Sequence, residues 1–328
     1  VTRRYRIRHE TRYRYGVDVV HSHHLLHLVP RPAAYQQCTE HEITIEPAPQ
    51  RRVGELDAFG NPMLRIELAQ PHRELSVTSQ MQIVVHARPA VLAETTAPWE
   101  KVRDSFAYRG NLLPENGPSR DELDAARFRH ESPHVRIKQG FTDYSADCFP
   151  PGRPILACAE ALSTKLHAEI TYAPGETSVA TPSTELLETR RGVCQDFAHL
   201  MIACLRSRGL PARYVSGYLR TNPPAHAAPD EKKLVGDGAS HAWVAVWSPP
   251  YGWTEFDPTN GCFAGTDHVA VAWGRDFGDV SPLRGVILGG ADHQLTVTVL
   301  VEPVDDGSGE GAGGEMAARS FSTSTERT

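Results

Sequence analysis

The stretch Arg190-Arg191-Gly192-Val193-Cys194-Gln195-Asp196-Phe197-Ala198-His199-Leu200-Met201 places one thiol at the junction of a turn and a helix. From Cys194 onward, Phe197, Leu200, Met201, Cys204 and Leu205 recur at three- and four-residue steps, the period of a helix with one buried face. Gly209 and Pro211 end it. Gly192 is expected to allow a tight turn just before the thiol. Cys194 then falls on the first helical turn, where unpaired N–H groups and the positive end of the helix dipole favour thiolate over thiol. A lone cysteine is more often a small core residue than a nucleophile, so the reading depends on its partners.

A thiol nucleophile needs a base, and the base needs a group to orient it. Downstream, His241 to Trp247 and Tyr251 to Asp257 each alternate in the two-residue period of a strand, around the turn Ser248-Pro249-Pro250. With a loop of residues 248–250, Trp247 faces Tyr251, Trp243 faces Glu255 and His241 faces Asp257. Opposed residues on one face lie about 5 Å apart at Cβ, within reach of a carboxylate–imidazole bond. The expected site is therefore Cys194 with His241 as base and Asp257 as its orienting acid.

The ordered motifs Arg190 to Leu200, Gly209 to Tyr218, Ser240-His241-Ala242-Trp243 and Glu255-Phe256-Asp257-Pro258-Thr259 resemble the bacterial transglutaminase-like family, papain-related thiol enzymes. The resemblance spans about residues 155 to 300 and puts the family's Cys, His and Asp on Cys194, His241 and Asp257. The family holds cross-linking enzymes, peptidases, amidases and members without activity, so the resemblance leaves the reaction open. It also implies an oxyanion donor upstream of the nucleophile, beside the nucleophile's own backbone N–H. Tyr172 is a candidate, or else an aromatic packed under the site; the amide of Gln195 is a second. Asp196 more naturally satisfies a first-turn N–H. Trp243, with Trp247 and Trp253, either walls the substrate cleft or belongs to the core. The resemblance extends upstream through Leu25 to Pro32 and Asp57 to Asn61, segments like those of the N-terminal region in many bacterial members.

The chain of 328 residues is long enough for two domains. The expected class is α+β. An N-terminal antiparallel β-sandwich (1–91) and a partly helical bridge (92–153) precede a papain-like, transglutaminase-like core (154–304). There a helix-borne cysteine packs on an antiparallel sheet carrying His and Asp, and a disordered tail (305–328) follows. Within the core, Ile155 to Ala168 is an apolar-faced helix, and Val269, Val271 and Trp273, then Val286 to Leu288 and Leu295 to Val301, are expected to complete its mixed or antiparallel sheet. The polar segment Thr221 to Gly238 is a loop that shapes the cleft or a plain surface excursion.

A net charge of -6 argues against a general nucleic-acid or anionic-membrane partner; the expected partner is a peptide or protein substrate. The six cysteines are scattered with no Cys-x-x-Cys, which indicates a reducing, cytoplasmic setting rather than a disulfide framework or zinc knuckle. His21, His23, His24 and His27 raise a metal reading, but no acid or thiol lies near them in sequence. They read as structural or surface histidines, and neither a metal nor any other cofactor is expected. Hydrolysis of a peptide or amide is favoured over cross-linking because bulk water competes with any amine. A non-catalytic binding module is the alternative of another class.

Overall fold

The 25-residue strand β1 (Thr2–Leu26) runs through the whole first sheet of the computed structural model, which describes residues 1–107, 118–220, 234–236, 240–304 and the backbone of 321–324. Along β1, Tyr5, Ile7, Val19 and Leu26 are buried, and arginines at positions 4, 6, 8, 12 and 14 face outward. This is the alternation of a strand covered on one side. β2 (Gln36–Glu46), β3 (Arg51–Leu56), β4 (Pro62–Leu68) and β5 (His72–His86) follow. β1 pairs with β5 from Thr2 to Arg14 and with β4 from Ser22 to Leu26, both antiparallel. Its two halves thus carry two arms, and Ile43 and Ile45 of β2 share one core with Leu64, Ile66 and Leu68 of β4.

The next segment holds three short helices, α1 (Trp99–Ser105), α2 (Arg120–Ala126) and α3 (Gln139–Tyr144). In α2, Ser119 accepts the Glu122 N–H while Glu122 accepts the Ser119 N–H, a reciprocal cap. Trp99, Phe141 and Phe149 are buried in one cluster with the helices that follow. Trp99, Phe141 and Phe149 of this segment thus share the main core.

The remaining helical layer is α4 (Ile155–Glu169), β6 (Thr171–Tyr172), α5 (Ser183–Thr189), β7 (Arg191–Gly192) and α6 (Cys194–Ser207). It packs on a sheet of β8 (Ala212–Leu219), β9 (His241–Ser248), β10 (Gly252–Asp257), β11 (Cys262–Phe263) and β12 (His268–Gly274), in the order β11-β10-β9-β8-β12. Pro154 precedes α4 and Ile155, Leu156, Ala159, Leu162 and Leu166 are buried, as the apolar spacing requires.

After α7 (Phe277–Val280) the chain leaves this sheet. β13 (Leu283–Gly289) and β14 (His293–Pro303) pair with β1, not with β12. The expectation that residues 286–301 complete the catalytic sheet is corrected: their alternation is that of any half-buried strand, and pairing is decided by partners far away in sequence. The backbone of β15 (Phe321–Ser324) adds to β14, so this part of the expected disordered tail is a strand. The rest of the tail, and the segment before His241 except residues 234–236 and 240, lie outside the described residues. The architecture is mixed α and β with mostly antiparallel sheets. Among the described residues no helix is long and apolar enough to cross a membrane.

Candidate active site

Cys194 is the first residue of α6 and is half-buried. Asp196, two residues on, turns its carboxylate back to accept the Val193 N–H (2.8 Å) and the Thr177 hydroxyl (2.6 Å). Burial raises its pKa, partly offset by those two bonds. This acid caps the helix and pins the residue before the thiol, the structural role read from its position. Gly192 has no left-handed conformation; the left-handed residue is Arg190 (φ 55°). What Gly192 supplies is space, because a Cβ there would stand 2.8 Å from both Asp196 Oδ2 and Leu186 Cδ1.

His241 opens β9, and Asp257 closes β10. The hairpin pairs Ser248 with Gly252, Trp247 with Trp253 and Val244 with Phe256, so the loop is Pro249-Pro250-Tyr251 and not residues 248–250. Gly252 (φ 79°) takes the left-handed turn that places the loop one residue later. The pairing moves by two residues, which leaves every side chain on its expected face. The His–Asp and Trp–Glu pairs therefore form diagonally: His241 Nε2 lies 2.8 Å from Asp257 Oδ2, and Trp243 Nε1 donates to Glu255 Oε2 at 2.7 Å.

Asp257 is fully buried and is met by five donors. His241 Nε2, His268 Nε2 (3.1 Å) and Asn260 Nδ2 (2.7 Å) bond Oδ2, and the backbone N–H groups of Thr259 and Asn260 bond Oδ1. Burial opposes its charge, but the charge and hydrogen bond of His241, then the bond from His268, hold the carboxyl well below the usual carboxylate range. For His241, burial favours the neutral ring. The charge of Asp257, then that of Cys194, with the hydrogen bond to Asp257, outweighs it and raises the pKa to about 10. Asp257 takes Nε2, which leaves Nδ1 as the second nitrogen of the ring. Nδ1 is buried and makes no hydrogen bond within the described residues.

His268 was absent from the sequence reading. Gly265 N–H donates to its Nδ1 at 3.2 Å, so the proton sits on Nε2 and points at Asp257. The His241, Asp257 and His268 ligand-type atoms lie within 4.8 Å of one another. With His268 Nε2 protonated and Oδ2 already accepting three donors, the set fits hydrogen bonding to a carboxylate and not a cation. Its only signal in the sequence is a histidine opening an apolar strand, one of 16 in the chain.

Tyr172 sits in β6, paired in parallel with Gly192, and Ala173 N–H bonds Gly192 O. The phenol-bearing residue is thus tied two positions before the thiol. Gln195 is half-buried, and its amide makes no hydrogen bond within the described residues. Trp243 is fully buried with its N–H committed to Glu255, so it stands behind His241 and does not line a cleft. A Cβ at Gly217 would lie 2.5 Å from the Trp243 ring and 2.1 Å from Val269 O; only glycine admits that ring.

A family model for the bacterial transglutaminase-like N-terminal region matches residues 5–84, and one for the transglutaminase-like superfamily matches residues 145–258. An uncharacterized protein of Mycobacterium tuberculosis is 36% identical over 312 residues, 93% of this chain and 94% of its own. One of Mycobacterium leprae is 31% identical over 301 residues, 90% and 97% of the two chains. A protein-glutamine gamma-glutamyltransferase of Pseudomonas aeruginosa is 41% identical over 76 residues, only 23% of this chain and 11% of that one. The fold is that of the crystal structure of a candidate cysteine protease from Cytophaga hutchinsonii, with a TM-score of 0.68 at 17% identity over 94% of this chain and 93% of that one. The chain belongs to the transglutaminase-like superfamily.

Proposed function

We propose that the chain is a thiol hydrolase of peptide or carboxamide bonds, with Cys194 as nucleophile, His241 as general base and acid, and Asp257 as the group that orients and charges the imidazole. The observation that carries this reading is one buried imidazole held by Asp257 at Nε2 and near enough to Cys194 for its charge to act on the ring. His241 takes the thiol proton through Nδ1. The sulfur bonds the carbonyl carbon, and the oxyanion is met by the Cys194 N–H, with the Tyr172 hydroxyl or the Gln195 amide as second donor. As the tetrahedral species collapses, the C–N bond breaks and His241 returns the proton to the leaving nitrogen, giving a thioester. Water, deprotonated by the same imidazole, then displaces the thiolate. His268 acts through Asp257 as a positioning residue.

The match to the Pseudomonas aeruginosa glutamyltransferase favours a second reading, in which an amine replaces water at the last step. Product analysis separates the two. Glutamine-containing peptides incubated with and without a primary amine are expected to give free carboxylate as the main product, with ammonia or new amino termini, and nothing with Cys194→Ala. An amide as the main product moves the assignment to acyl transfer. Turnover that survives Cys194→Ala overturns both.

A further inference from the structure

The geometry assigns a second, unrelated site on the outer face of the first sheet: a divalent transition-metal site, zinc(II) foremost, formed by His21, His23 and Glu67. His21 and His23 are two apart on β1 and project to the same side. There β1 is hydrogen-bonded on both flanks, to β4 and to β13, so the two Cα positions are fixed. Glu67 lies directly across from His23 on β4. The acid that the local sequence lacks is thus supplied 44 residues later by the register. His24 and His27 of the same cluster are buried and take no part.

The two Nε2 atoms are 2.9 Å apart, and His21 Nε2 is 3.7 Å from Glu67 Oε1; all three atoms lie within 4.8 Å of one another. The rings meet at 67° with centroids 4.8 Å apart, so it is their nitrogens that converge. Ligand atoms at 2.0–2.1 Å from a tetrahedral ion stand about 3.3 Å apart. The observed 2.9 and 3.7 Å bracket that value, and the third separation, within 4.8 Å, closes by side-chain rotation on the fixed strands. Two imidazoles and one carboxylate suit zinc(II), and also copper(II) or nickel(II). The half-exposed setting leaves the fourth position to water.

The test uses the full chain carrying Cys194→Ser, which removes the competing thiol, titrated with zinc chloride and followed by calorimetry and thermal melting. One equivalent is expected to bind and raise the melting temperature. His21→Ala and His23→Gln are each expected to weaken binding tenfold or more and abolish the rise, with Glu67→Gln weaker in effect and circular dichroism unchanged in all. Binding and stabilisation that ignore both histidine substitutions overturn the site. So does the absence of heat or stabilisation up to about 100 µM zinc. Neither result bears on the thiol chemistry.

Discussion

Asp257 is the residue on which the charge state of the site depends. A group whose folded pKa is raised stabilises the fold below its unfolded value and loses that contribution as pH rises through the folded one. His241, moved from 6.5 to about 10, therefore contributes fully at low pH and loses its contribution toward pH 10. Asp257, held below 3.8, contributes above that value and loses its contribution as pH falls. Asp257→Asn removes the principal charge that raises the imidazole pKa, so the high-pH limb of kcat/KM should move down by a unit or more. The rate should fall by about 10³ to 10⁴, as a pH–rate profile will show; a limb that stays in place contradicts the assignment. His268→Ala should lower kcat/KM by loosening Asp257, and His268→Gln, which keeps a donor toward Oδ2, should recover part of the loss. Cys194, His241 and Asp257 were each legible as candidates because each sits at an element terminus with a periodic run beside it. His268 was not, because its partner is reached only through the sheet.

At the scale of elements, two junctions present the chemistry: β7 into α6, and the β9–β10 hairpin. Gly192→Ala inserts a methyl against Asp196 and Leu186 and should cost about 1–3 kcal/mol by denaturant unfolding. Activity should fall more than stability explains, since Asp196 fixes the residue before the thiol. The helix was legible from its three- and four-residue spacing, and the hairpin from its alternation. The loop position was not, since Ser248 and Tyr251 are equally acceptable turn residues and the left-handed Gly252 decides between them. An error of two in pairing kept the faces correct, so the expected contact between His241 and Asp257 survived it.

At the scale of the whole molecule, the first sheet braces the one that carries His241 and Asp257. β12 is the edge of its sheet, and an open edge leaves backbone groups without partners. Gln36 bonds both Ala270 O and Ala270 N–H, Asn61 does the same for Trp273, and Arg31 N–H bonds Val271 O. The segments around Arg31 and Asn61 thus form the dock for this edge, a role invisible in their local sequence. From the same domain Tyr35 and Arg88 bond Glu255 at 2.7 and 3.0 Å, behind the hairpin that carries His241 and Asp257. Asn61→Ala orphans two partly buried backbone groups of Trp273 and should cost about 2 kcal/mol or more in chemical denaturation. Loss of under 0.5 kcal/mol would contradict the dock. The return of β13 and β14 to β1 was illegible for the reason given by β1 itself: a strand's partner is a property of the assembled sheet.

The central claim is that His241 and Asp257 activate Cys194, and alkylation rates resolved by site test it most directly. Cys38 and Cys262 are the other half-buried thiols and serve as controls matched in exposure. With iodoacetamide at pH 7 and peptide mass analysis, Cys194 should react about tenfold or more faster than either, and His241→Ala should bring it to their rate. A Cys194 that reacts no faster than Cys38 and Cys262, or one whose excess rate survives His241→Ala, would contradict the account.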